Sequence, residues 1–112
     1  MWAGVVTLFP EMFTALTESG VTGRAVRRGQ LEVAFSSPRD HAHDRHRTVD
    51  DRPFGGGPGM VMKPEPLFEA VEAAMQAIPS ETVRDIPVVL MSPQGVLLDQ
   101  GLALELAQKP AM

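Results

Sequence analysis

Three segments combine residue types and spacings that can do chemistry. The first holds His41, His43 and His46 with Asp44, Arg45 and Arg47 among them. Neutral imidazoles ligate transition metals, so a metal-dependent hydrolase is one reading. Arg45 and Arg47 oppose it, because fixed positive charge beside a cation site repels the cation. The helical pair of histidines four residues apart, as in His-Glu-x-x-His, is also missing. A hydrogen-bonding or phosphate-facing polar loop suits these residues better.

The second segment runs from Asp50 to Met60, with Gly55, Gly56, Gly57 and Gly59 separated only by Pro58. Clustered glycines let the backbone approach a ligand closely and expose successive N–H groups to a phosphate or a planar base. The spacing is neither a Walker loop nor a dinucleotide fingerprint. Asp50, Asp51 and Arg52 on one side, with Pro53 and Pro58, give a shaped loop and not a flexible tether. The third segment is Ser92, Pro93, Gln94 and Gly95, a tight turn directly after an apolar run. Loops beyond the carboxyl ends of parallel strands collect ligands, and Ser and Gln add donors and acceptors suited to an adenine or a ribose.

Charge is unevenly spread around these segments. The formal net charge is -4, yet seven of the eight arginines and all three histidines lie between Arg24 and Arg52. A locally basic arm on an acidic protein fits contact with a polyanion at one face. Asp40, Asp44, Asp50 and Asp51 are interleaved with these arginines, so internal ion pairs on a solvated loop are the competing reading. There is no cysteine, which excludes a disulfide scaffold, Cys-ligated zinc and a thiol nucleophile. No apolar run approaches the roughly 18–20 residues that span a bilayer, and the N-terminus lacks a basic signal-like region. A soluble, cytoplasmic single domain is expected.

The elements that must hold the three segments are legible from periodicity. Ala3 to Leu8 reads as a strand buried on both faces, and Pro10 opens a helix with Met12, Phe13 and Leu16 on one stripe, closed by Gly20. Val21 to Arg28 forms a second helix ending at Gly29, and Leu31 to Phe35 alternates as a second strand. Nothing is periodic from Ser36 to Lys63, which is expected to be the least ordered region in the absence of ligand. A helix follows from Pro64 to Pro79, burying Leu67, Phe68, Val71, Ala74, Met75 and Ile78. After a polar connector from Ser80 to Ile86, Pro87 to Met91 reads as a third strand, and Asp99 caps a helix through Gln108. Another strand is expected at Lys109 to Met112. The order implies an α/β layer structure: an open, largely parallel sheet with flanking helices.

Taken together, the segments resemble a known family. Leu8-Phe9-Pro10-Glu11-Met12-Phe13, Gly20-Val21-Thr22-Gly23-Arg24-Ala25, Ser37-Pro38-Arg39-Asp40, the run from His43 to Met60 and Ser92-Pro93-Gln94-Gly95 occur in this order. The set resembles the bacterial tRNA (guanine-N1)-methyltransferases, of the trefoil-knotted SPOUT class, along essentially the whole chain. The resemblance implies a homodimeric, S-adenosylmethionine-dependent enzyme that methylates N1 of the guanosine 3′ of the tRNA anticodon. It implies that Ser92, Pro93, Gln94 and Gly95 are the first of several cofactor loops. It assigns Arg45, Arg47, Asp50, Arg52, Gly55, Gly56, Gly57, Pro58 and Gly59 to the tRNA.

Members of the family run to more than twice this length, so residues 1–112 are expected to be the N-terminal part of the methyltransferase domain, without activity alone. The remaining cofactor loops and the Asp and Arg that handle the guanine are expected beyond Lys109. No catalytic residue is therefore carried over, and none of Asp40, Asp44, Asp50 or Asp51 is promoted to the general base. The alternative is a free-standing α/β module that binds RNA or a nucleotide through residues 24–59 without catalysis.

Overall fold

The computed structural model describes residues 1–79 and 86–112. The chain is α/β, built on a small parallel sheet. Strand β1 (Trp2–Val6) pairs in parallel with β2 (Glu32–Ser36), in a register that sets Gly4 beside Ala34. The opposite edge of β1 is covered by the end of the chain. Trp2 N donates to Pro110 O, Gly4 N to Met112 O and Met112 N to Trp2 O, and Ala111 forms a parallel bridge with Trp2. The strand expected at 109–112 thus begins in place, and β1 is central, as its unbroken apolar run requires.

Between the two strands the chain passes through short helical pieces. A 3-10 turn (Pro10–Phe13) leads into α1 (Thr14–Glu18), and α2 (Gly20–Arg27) follows at once. Gly20 lies at φ +63°, the left-handed conformation that lets the chain leave one helix and start another. Gly29, at φ +67°, ends α2 as its position suggested. The expected stripe on the first helix is only partly buried: Phe13 stacks at a tilt on Phe35, ring centroids 5.4 Å apart, while Met12 and Leu16 face outward.

Helix α3 (Pro64–Gln76) lies against β1, β2 and a 3-10 turn at Pro38–His41. Its contact face is made of small residues, with Pro66 and Ala70 buried. The reason sits beneath it. The indole of Trp2 folds over Gly4, so close that a Cβ there would lie 2.6 Å from the ring, and Ala74 would be its next neighbour at 3.5 Å. A bulky side chain has no room at this crossing. Phe68 (66% exposed) and Met75, assigned to the buried face by periodicity, lie on the side of the helix away from Pro66 and Ala70 and point outward. The tightest part of the core consists of Trp2, Val49, Ala70 and Ala111, with Pro38 also fully enclosed.

Two further elements depart from the sequence reading. Residues 36–63 are fastened at their base: β3 (Asp50–Asp51) pairs antiparallel with β4 (Val61–Met62), and Lys63 N donates to Val49 O at 2.8 Å. Val49 supplies the apolar anchor. Pro87 to Met91, by contrast, is not a strand; Val88, Leu90 and Met91 stand exposed and pair with no described strand. An apolar run signals burial, but a strand exists only where a neighbouring edge accepts its hydrogen bonds, and none among the described residues does so for this run.

The last helix, α4 (Gln100–Ala107), is capped as expected by Asp99, whose carboxylate accepts from Leu102 N at 2.8 Å. The connector at 80–85 lies outside the described residues. No helix among them is long and apolar enough to cross a membrane.

Candidate functional site

The arm that follows β2 is organised by two side chains. Asp44 closes a local turn: Oδ1 accepts from Thr48 N at 2.8 Å, and Oδ2 accepts from Thr48 Oγ1 at 2.7 Å and from His46 N at 3.2 Å. These donors, the Thr48 hydroxyl foremost, hold its carboxyl below the usual aspartate value. Arg47 closes the other side. Its guanidinium pairs with Asp40, and its Nε donates to the carbonyl of Arg39 at 3.1 Å. Arg47 adopts φ +51°, the left-handed region that L side chains rarely enter, which the two contacts compensate.

The histidines do not converge. With its ring nitrogen protonated, His43 Nε2 donates to Glu69 Oε1 at 3.2 Å, and His41 Nδ1 lies 3.9 Å from Glu69 Oε2. Both therefore tie the arm to α3. Among the described residues, no three His, Asp or Glu side chains are grouped to hold a metal ion. The geometry that a histidine-based hydrolase needs is not assembled by His41, His43 and His46.

Beyond the arm, the hairpin β3–β4 carries the glycine loop at its tip. Gly55, Gly56, Gly57 and Gly59 all have φ between +83° and +119°, and Gly56 N donates to Pro53 O at 3.0 Å. This backbone is open to glycine and strained for any other residue, which explains the composition. An open cleft of about 540 Å³ lies between the hairpin and the start of α3, lined among others by Asp51, Arg52, Phe54, Met62, Lys63 and Glu65. Arg45 and Arg52 pair with no carboxylate among the described residues.

Ser92, Pro93, Gln94 and Gly95 form the expected turn, with Ser92 Oγ accepting from Gln94 N at 3.2 Å and Ser92 O accepting from Gly95 N. All four residues are exposed. The turn uses two of its own acceptors internally, and it does not line the cleft beside the hairpin.

A family model described as tRNA (Guanine-1)-methyltransferase TrmD matches residues 1–112. The chain belongs to this family. The tRNA (guanine-1)-methyltransferases similar to it include that of Tolumonas auensis, 56% identical over 108 residues, which make up 96% of this chain and 42% of the relative. That of Sodalis glossinidius is 55% identical over the full 112 residues and 43% of its own length. The crystal structure of the tRNA (m1G37) methyltransferase from Aquifex aeolicus superposes with a TM-score of 0.83 at 32% identity, over 100% of this chain and 48% of that one. The chain thus spans about two fifths of the length of the curated relatives it matches. The methyltransferase fold is present here as an α/β unit with a small parallel sheet.

Of the residues the resemblance assigns to tRNA, the β3–β4 hairpin brings Asp50, Arg52, Gly55, Gly56, Gly57, Pro58 and Gly59 onto one element. Arg45 lies on the neighbouring turn, and Arg47 is occupied as a strut. Sequence reasoning gave no place to Glu69, 26 positions from His43 in the chain, because no local signal links them.

Proposed function

We propose that this chain is the N-terminal part of the methyltransferase domain of a cytoplasmic, homodimeric enzyme that transfers a methyl group from S-adenosylmethionine to N1 of the guanosine 3′ of the tRNA anticodon. The observation that carries this reading is the family match along all of residues 1–112. The local geometry is compatible with it. A glycine hairpin with an open cleft is flanked by two arginines, Arg45 and Arg52, that guanidinium chemistry suits to phosphate.

In this reading S-adenosylmethionine supplies an electrophilic methyl group, and the Ser92–Gly95 turn is one edge of its site. N1 of guanine carries a proton at neutral pH, so the reaction needs a base near N1 and a donor for the charge that develops on O6. Three of the aspartates here are committed elsewhere. Asp44 is saturated by Thr48 and His46, Asp40 holds Arg47, and Asp51 accepts from Arg52 N. They position the arm, and none is assigned the base.

The test is methyl transfer by the intact gene product from labelled S-adenosylmethionine to a tRNA transcript. Incorporation is expected with guanosine 3′ of the anticodon and none with adenosine there. Equal labelling of the two transcripts would overturn the assignment.

A further inference from the structure

Phe54 is the one aromatic residue in the arm and hairpin from Ser36 to Lys63, and its ring is fully exposed. A lone exposed apolar side chain is ordinary on a protein surface; what singles out Phe54 is the turn that carries it. The backbone holds it out deliberately. Pro53 precedes it, Gly55, Gly56 and Gly57 follow at positive φ, and the Gly56 N to Pro53 O bond makes Phe54 a corner of a tight turn. The two-stranded base at β3 and β4 roots that turn.

The surroundings indicate what covers the ring. Phe54 shares its cleft with Arg52 and Lys63, which can take phosphates, and with Asp51 and Glu65, which can accept from base amino groups. Pro53, Val61, Met62 and Pro64 complete the apolar lining of the same cleft. Apolar groups and charges of both signs in one open cleft suit a nucleotide, whose base has apolar faces and polar edges and which carries a phosphate. Duplex RNA hides its base faces, so the ring requires an unpaired base.

We infer that Phe54 stacks on an unpaired base of the RNA, next to the glycine loop. The inference rests on the RNA reading of the previous section. The stack is tolerant of base identity, because phenyl has no polar atom and every base has a π-face. Phe54 thus adds grip, and Arg52 and Lys63 flank the nucleotide that it holds.

The experiment measures binding of an anticodon stem-loop RNA by the intact gene product, with Phe54→Ala, Phe54→Leu and Phe54→Trp beside the unsubstituted protein. Each loop position carries 2-aminopurine in turn, to report stacking. Ala and Leu are expected to weaken binding by roughly 5- to 150-fold, Trp to restore it, and one loop position to lose its quench only in Ala and Leu. The slope of log affinity against log salt should stay the same in all four proteins, because no phosphate contact is removed. Leu binding as tightly as Phe would overturn the stack. So would an Ala variant that loses self-association, seen by sedimentation, while keeping its RNA affinity. If the unsubstituted protein binds no RNA, the functional reading itself fails and the stack falls with it.

Discussion

The hydroxyl of Thr48 donates to Asp44 at 2.7 Å, and the Thr48 backbone N–H donates to the other oxygen of the same carboxylate at 2.8 Å. Four residues of exposed chain are folded back on themselves by a single side chain, directly before the buried Val49. The turn therefore delivers Asp50 and Arg52 to the hairpin in a fixed direction.

The lowered Asp44 pKa gives this turn a pH dependence of defined sign. The stabilisation is complete above the ordinary aspartate pKa and is lost as pH falls through the depressed value of the folded chain. Thr48→Val removes the leading cause. The Asp44 carboxyl, followed by NMR titration, should then move up toward the ordinary aspartate value. An unchanged titration would mean that the hydroxyl does not hold the carboxylate.

Arg47 and Arg45 should behave differently, although they are two positions apart. Arg47→Ala removes the pair with Asp40 and the bond to the Arg39 carbonyl, and should lower the unfolding free energy by about 1 kcal/mol or less, read as a lowered denaturation midpoint, since the pair is exposed. Arg45→Ala and Arg52→Ala should leave the midpoint unchanged and flatten the salt dependence of RNA binding by roughly 0.7–0.9 per lost phosphate contact. A flattened slope with Arg47→Ala would place that side chain on the RNA as well.

Gly23 is a packing requirement of the α1–α2 corner. A Cβ there would lie 2.5 Å from the backbone carbon of Glu18, which cannot move aside as a side-chain tip could. Gly23→Ala should cost about 1–3 kcal/mol, read as a lowered urea midpoint with an unchanged slope. Gly57→Ala should also destabilise, through its φ of +119°, although open space surrounds it.

Hydrogen exchange should divide the arm and hairpin into two classes. The Lys63 N–H, bonded to Val49 O beside a buried side chain, should exchange slowly. The N–H groups of Gly57 and Gly59, at the exposed tip, should exchange at rates near those of an open chain. Uniformly fast exchange across 48–63 would show that the hairpin base is not formed.

What the sequence by itself determined is what neighbouring residues decide between them. Asp99 as a cap, Pro64 as a helix start, Gly29 as a left-handed stop and the turn at Ser92 all follow from interactions within about four positions. The glycine loop was legible for the same reason, as were the motifs that mark the family. Tertiary structure decided everything that depends on a distant partner. The apolar run at Pro87 to Met91 is not a strand because no strand among the described residues lends it an edge to pair with. Phe68 faces outward because α3 turns its Pro66 and Ala70 side, opposite Phe68, into the fold. His43 meets Glu69, and Arg47 meets Asp40, because the chain turns at Pro38 and at Asp44 and brings them together. Periodicity records how apolar a position is, whereas the identity of its neighbour is set by how the elements pack.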